Sequence, residues 1–187
     1  MPRLPLRDPD SAPEPIRSIL TSTPLSLLGI LAHAESAFEP WLRYSNTLLR
    51  GLELDPLLRE LAILQVAHLS GSEYEWSQHV PIGEAFGATA AQIEEIERDV
   101  PRPEGLSEDG WAVLSFTREV VLEGAGAEQP LAELIGRLGE RCVVELLLVI
   151  GNYLGLARLI ATVGLEPQEP VVKLPGGADA LGPGSTP

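Results

Sequence analysis

Arg59-Glu60-Leu61-Ala62-Ile63-Leu64-Gln65-Val66-Ala67-His68-Leu69-Ser70-Gly71-Ser72-Glu73-Tyr74-Glu75-Trp76-Ser77-Gln78-His79 is the stretch on which the fold turns. Asp55-Pro56 ahead of it is a cap followed by proline at the first helical position, and Gly71 is a helix stop. Between them lies an apolar run with no strand-like alternation, so the segment is expected to be helical. Ser72 and Glu75 then have capping-box spacing and open a second helix that runs to Phe86, with Gly87 as its stop. On that second helix Glu75 and His79 stand four residues apart and share a face. Glu60 lies at the start of the apolar run before it. Two carboxyls and one imidazole at the edge of an apolar surface suffice for proton transfer without metal or cofactor.

Working outward, the rest of the chain also reads as helices. A short stretch is expected around Ile16 to Leu20, and Thr23-Pro24 opens a helix toward Ala37. Another segment starts near Pro40 and stops at Gly51. Thr89 and Gln92 repeat the capping box and start a short helix ending near Arg98. Ser107 caps a helix over 108–123, and residues 124–130 are a loop. A short helix from Leu131 to Leu138 precedes the longest one, from Glu140 to Val163, which stops at Gly164. The fold class is therefore all-α. Residues 1–14, rich in proline and charge, read as a flexible arm. Residues 15–165 form one helical domain, and residues 166–187 read as a disordered tail.

Composition narrows the function. The chain has 187 residues, 44% hydrophobic, with a formal net charge of −14. That is enough apolar content for a core, and the wrong charge for nucleic acid or for an anionic membrane surface. The single cysteine, Cys142, permits no internal disulfide and no dithiol redox pair. No signal-peptide pattern opens the chain, and the run from Cys142 to Gly151 is too short to span a bilayer, so a soluble cytoplasmic protein is expected. Three scattered histidines offer no zinc spacing, and no metal is expected.

The text Asp55-Pro56-Leu57-Leu58-Arg59-Glu60, then Ser72 to His79, then Gly87-Ala88-Thr89, resembles the carboxymuconolactone decarboxylase family, which includes the alkyl hydroperoxidase D-like proteins. The closing Asn152-Tyr153-Leu154-Gly155-Leu156-Ala157-Arg158-Leu159 resembles its last helix, so the likeness spans roughly residues 20 to 165. It implies an alkyl hydroperoxidase D-like helical bundle, assembled as a homo-oligomer, trimer or hexamer, with pockets near the subunit interface. Peroxidase members carry a Cys-x-x-Cys pair with a histidine four residues on and a glutamate upstream. Here Ser72 and Glu75 stand at the two cysteine positions, His79 at the histidine and Glu60 at the upstream glutamate. Without the thiols there is nothing for a peroxide to oxidise. The decarboxylase branch lacks the cysteines and uses acid–base chemistry on a lactone acid.

Each candidate also has a plain structural reading. Glu75 is either the third member of a capping box or an acid/base, and His79 either its surface partner or the main proton carrier. Glu60 either complements the helix dipole or points inward, where burial would raise its pKa. Ser72, Trp76, Tyr153 and Arg59 are candidate substrate contacts, with packing or interhelical hydrogen bonding the ordinary use of Trp76 and Tyr153. Arg59, Arg43 and Arg158 are the nearby cations for an anionic substrate. Cys142 is expected to be buried. Pro81 leaves the Ser77 carbonyl without its helical donor.

The leading expectation is a cofactor-independent enzyme that moves protons, by decarboxylation or isomerisation, on a small carbonyl or lactone. His79 is the acid/base, Glu75 orients it, and Glu60 is a second proton carrier. The alternatives are a hydroperoxide-reducing member and a non-catalytic helical oligomer that binds a small ligand.

Overall fold

The computed structural model describes residues 2–171. It contains eight α-helices and no strand among them: α1 (Ile16–Ser22), α2 (Ser26–Leu31), α3 (Glu35–Arg50), α4 (Pro56–Leu69), α5 (Glu73–Ala85), α6 (Ala90–Glu97), α7 (Glu108–Glu123) and α8 (Glu128–Val163). The all-α expectation stands.

Helix α4 is the axis of the bundle. Asp55 caps it, its carboxylate accepting from the amides of Leu57 (2.9 Å) and Leu58 (3.1 Å). Every residue from Leu58 to Ala67 is buried. A helix apolar around its whole circumference belongs inside a bundle, and α4 packs against α5, α7 and α8. Leu61, Ile63 and Val66 of α4 meet Val113 and Phe116 of α7 and Leu146, Val149 and Ile150 of α8 in the main core. Fully burying side chains of this size stabilises by about 1.5–3 kcal/mol each. A satellite core of Ile16, Leu20, Leu28, Phe38 and Leu42 joins α1, α2 and α3. Helix α5 approaches α4 closely at Gly83, where an added methyl would meet Leu64 Cδ1 at 3.3 Å.

Local chemistry sets the boundaries. Ser107 Oγ accepts from Gly110 N at 3.0 Å to start α7, which ends at Gly124 in the left-handed region. Thr89 and Gln92 form a full capping box for α6. The expected boundary between two C-terminal helices appears inside α8 as a break at Gly139, with φ 80° and ψ 160°.

Several expectations need correction. Leu25 is extended, so the helix after Pro24 begins at Ser26 and ends at Leu31. Helix α3 starts five residues before Pro40, because Phe38 and Leu42, one turn apart, anchor its buried face. Proline inside it removes only one hydrogen bond near the helix start. The N-terminal segment is docked rather than loose. Arg3 N donates to Val163 O (2.6 Å), Arg7 N to Gly29 O (2.9 Å), and Arg7 pairs with Glu35. His33 Nε2 meets the Pro5 carbonyl at 2.8 Å. Residues 166–171, expected in a disordered tail, lie against the bundle as a strap; 172–187 fall outside the described residues. Cys142 is half-buried, not buried. Helix α8 is long and apolar enough, by length and composition, to cross a membrane. Its Leu146, Val149, Ile150 and Tyr153 nonetheless belong to the bundle core.

Candidate active site

A cavity of about 270 Å³ opens where α2, α3, α5 and α8 meet, between the satellite core and the main one. Glu75, Gln78 and His79 of α5 reach it, as do Tyr153 of α8, Trp41 of α3 and Leu27 of α2. Helical spacing explains the α5 contribution: positions 75, 78, 79 and 82 lie on one face.

His79 is held from behind. Its Nδ1 lies 2.8 Å from Glu60 Oε2, and Glu60 is fully buried. The other Glu60 oxygen accepts from Arg59 Nε (3.0 Å) and lies 2.9 Å from Arg59 Nη2. Arg59 is itself buried, with its guanidinium 5.2 Å from the centre of the Phe86 ring. A carboxylate on Nδ1 fixes the proton there and leaves Nε2 as the basic nitrogen. The Tyr153 ring stands edge-on to the imidazole, with centroids 4.9 Å apart.

Glu75 is unlike its neighbours. It is 3% exposed, and neither carboxyl oxygen has a hydrogen-bond partner among the described residues. Burial pushes its pKa up from 4.5 to about 8, opposed in part by the nearby Ser72 hydroxyl, although the two form no hydrogen bond. At neutral pH Glu75 is therefore a carboxylic acid, a proton donor beside a base. Burial also holds the Tyr153 hydroxyl well above its ordinary range, with the Glu60 and Glu75 charges adding to the effect.

The three residues expected to act together do come together, with roles rearranged. Glu60, not Glu75, partners His79. The reason is geometric: the α4–α5 crossing at Gly83 puts Glu60 under the imidazole, a contact between helices that spacing along one helix does not reveal. Glu60 does not line the cavity, so it does not stand on the far side of a reacting carbon. The expected Ser72–Glu75 capping box does not form. Tyr153 lines the cavity. Ser72, Trp76 and Arg59 do not: Ser72 borders a separate hollow of about 140 Å³, and Trp76 packs beside His68 at 6.3 Å. Arg59 is committed to Glu60, while Arg43 and Arg158 are exposed.

Sequence reading missed Tyr74, Gln78 and the strap. Gln78 donates to Gln168 O (2.9 Å) and accepts from Val171 N (3.1 Å). Tyr74 OH accepts from Leu27 N (3.2 Å) and donates to Gln168 Oε1 (3.1 Å). The strap so held supplies Val171 to the cavity wall. The one signal available was a buried-polar pattern, since 74, 75, 78 and 79 share a face. No three His, Cys, Asp or Glu side chains are grouped as a metal site requires, among the described residues.

These features define an all-α bundle with a paired-carboxyl, imidazole-centred cavity. Residues 35–105 match the model of the carboxymuconolactone decarboxylase family. The matched segment contains Glu60, Ser72, Glu75 and His79, but not the closing helix with Tyr153. Among solved structures the fold is similar to one described as an alkylhydroperoxidase AhpD core, an uncharacterized peroxidase-related protein from Ralstonia eutropha JMP134. The TM-score is 0.77 at 16% identity, covering 89% of this chain and 92% of that one. No curated protein matches the sequence.

Proposed function

We propose that the protein is a cofactor-independent acid/base enzyme that moves a proton at the carbon next to a carbonyl, in a decarboxylation or an isomerisation of a small carbonyl or lactone compound. The observation that carries this reading is the pairing, in one cavity, of a buried protonated acid with an imidazole whose proton is fixed on the far nitrogen. Glu75 donates a hydrogen bond to the carbonyl oxygen and stabilises the enol as it forms. His79 Nε2 takes the proton from the adjacent carbon. The imidazolium so formed is stabilised by Glu60, and it returns the proton to carbon at the new position. Glu60 thus acts through His79 as a positioning residue. If a carboxylate leaves as carbon dioxide instead, no proton is first removed from carbon; His79 Nε2 then takes a proton from solvent and delivers it to the vacated carbon.

Thiol peroxidase chemistry finds no support, since Ser72 and Glu75 occupy the places a cysteine pair would need and Cys142 lies outside the cavity. A homo-oligomer, trimer or hexamer, is supported by the exposed apolar face of α8, where Val144, Leu147 and Leu148 stand in the open. We place its work in the cytoplasm on the same reading of charge and cysteine content.

The test is deuterium exchange. Neutral ketones and lactones in D₂O are incubated with the protein, and label at the carbon next to the carbonyl is read by NMR. Exchange that His79→Gln reduces by about 10²-fold or more supports the assignment. Equal exchange by the wild type and His79→Gln removes it.

A further inference from the structure

The walls of the cavity decide what charge a ligand can carry. Leu25, Leu27, Trp41, Leu49, Ile82 and Leu156 make most of the surface. Among the described residues no arginine or lysine lines it. Arg59, the nearest cation in sequence to the acid/base group, is turned behind His79 and held by Glu60 and the Phe86 ring. Hydroxyls, the Gln78 amide and His79 also line it, and of the lining side chains only Glu75 has polar atoms that are both buried and unpartnered. A buried anion must be paired or must coordinate a cation, because the cost of desolvating it is otherwise several kcal/mol. Among the described residues no fixed cation in this cavity pairs a carboxylate on a ligand, and an ionised Glu75 would repel it.

Resting on the acid/base reading above, we infer that the ligand is uncharged: a mostly apolar ketone, ester or lactone with one carbonyl that accepts a hydrogen bond from Glu75. Size follows from volume. A cavity of about 150 Å³ holds benzene, six heavy atoms, so about 270 Å³ holds roughly 11. That is one ring with a short substituent. Of the two reactions, a neutral ligand selects proton transfer without loss of carbon dioxide. The proton leaves one carbon and returns to another, with no oxidant or co-reactant.

Calorimetric titration of the full chain with two ligands of the same size tests this. 4-Isopropylacetophenone and 4-acetylbenzoate both have a ketone and a branched para substituent, one neutral and one anionic. The neutral ketone is expected to bind at least tenfold more tightly at pH 7. The groups facing Glu75 that also titrate or carry charge are His79 and Tyr74 of α5, Glu60 and Arg59 of α4, and Tyr153 of α8. Glu75→Gln isolates its contribution. In the wild type, affinity for the ketone is expected to fall about tenfold between pH 7 and pH 9. In Glu75→Gln, whose amide still donates, the fall is expected to vanish while binding persists. Equal or tighter binding of the benzoate overturns the inference, as does absence of ketone binding or an unchanged pH profile in the variant. Because binding is read without turnover, loss of deuterium exchange with retained ketone selectivity would sink the acid/base reading and leave the ligand class standing.

Discussion

Glu75→Gln should make the protein more resistant to alkali. In the folded chain the Glu75 carboxyl is buried without a partner and holds its proton up to about pH 8; in the unfolded chain it gives it up near 4.5. Between those values the folded state binds the proton and the unfolded state does not. The contribution to stability is complete below pH 4.5 and is lost as pH rises through 8. The gap, at about 1.4 kcal/mol per pH unit, sets a ceiling of roughly 5 kcal/mol. Gln keeps the shape and never ionises, so it escapes the loss. Urea unfolding at pH 5, 6, 7, 8 and 9, followed by helical circular dichroism, gives both profiles. Subtracting one from the other cancels every other titrating group. The variant is expected to gain on the wild type by roughly 2 kcal/mol between pH 6 and pH 8. Parallel profiles would refute the claim that Glu75 is neutral in the folded protein.

Removing Glu60 as Glu60→Ala leaves Arg59 buried and unpaired, and about 3–5 kcal/mol of stability should disappear in denaturant unfolding. Gln78→Ala frees the strap: exchange of the Val171 amide should accelerate roughly fivefold, the equivalent of a net hydrogen bond of about 1 kcal/mol. Leu146→Ala opens the main core at a fully buried position and should cost about 2–5 kcal/mol, read as a lowered unfolding midpoint.

Much of the fold was legible because caps and stops are local chemistry. Ser107 and Gly124 bracket α7 at the residues expected, and the boundary near Gly139 is a real break in the backbone. Proline was the misleading sign. Pro24 and Pro40 read as helix starts, yet burial of Phe38 and Leu42 carries α3 through Pro40. The site was legible in membership and not in wiring. Glu75 and His79 share a face by helical period. That Glu60 reaches His79 depends on how closely two helices cross, which is set by Gly83 and Leu64 rather than by spacing. The strap was hidden because residues 166–171 bury little apolar surface of their own. Gln78 and Tyr74 hold them by hydrogen bonds across about 90 residues of sequence, and no pattern within the strap records those partners.

The account rests on an uncharged Glu75 beside an imidazole. Its most direct test is a carbon-13 NMR titration of the glutamate carboxyls, with Glu75→Gln identifying the resonance. The account predicts a midpoint near pH 8, with the protonated form in the majority at pH 7. A midpoint near 4.5 would contradict it.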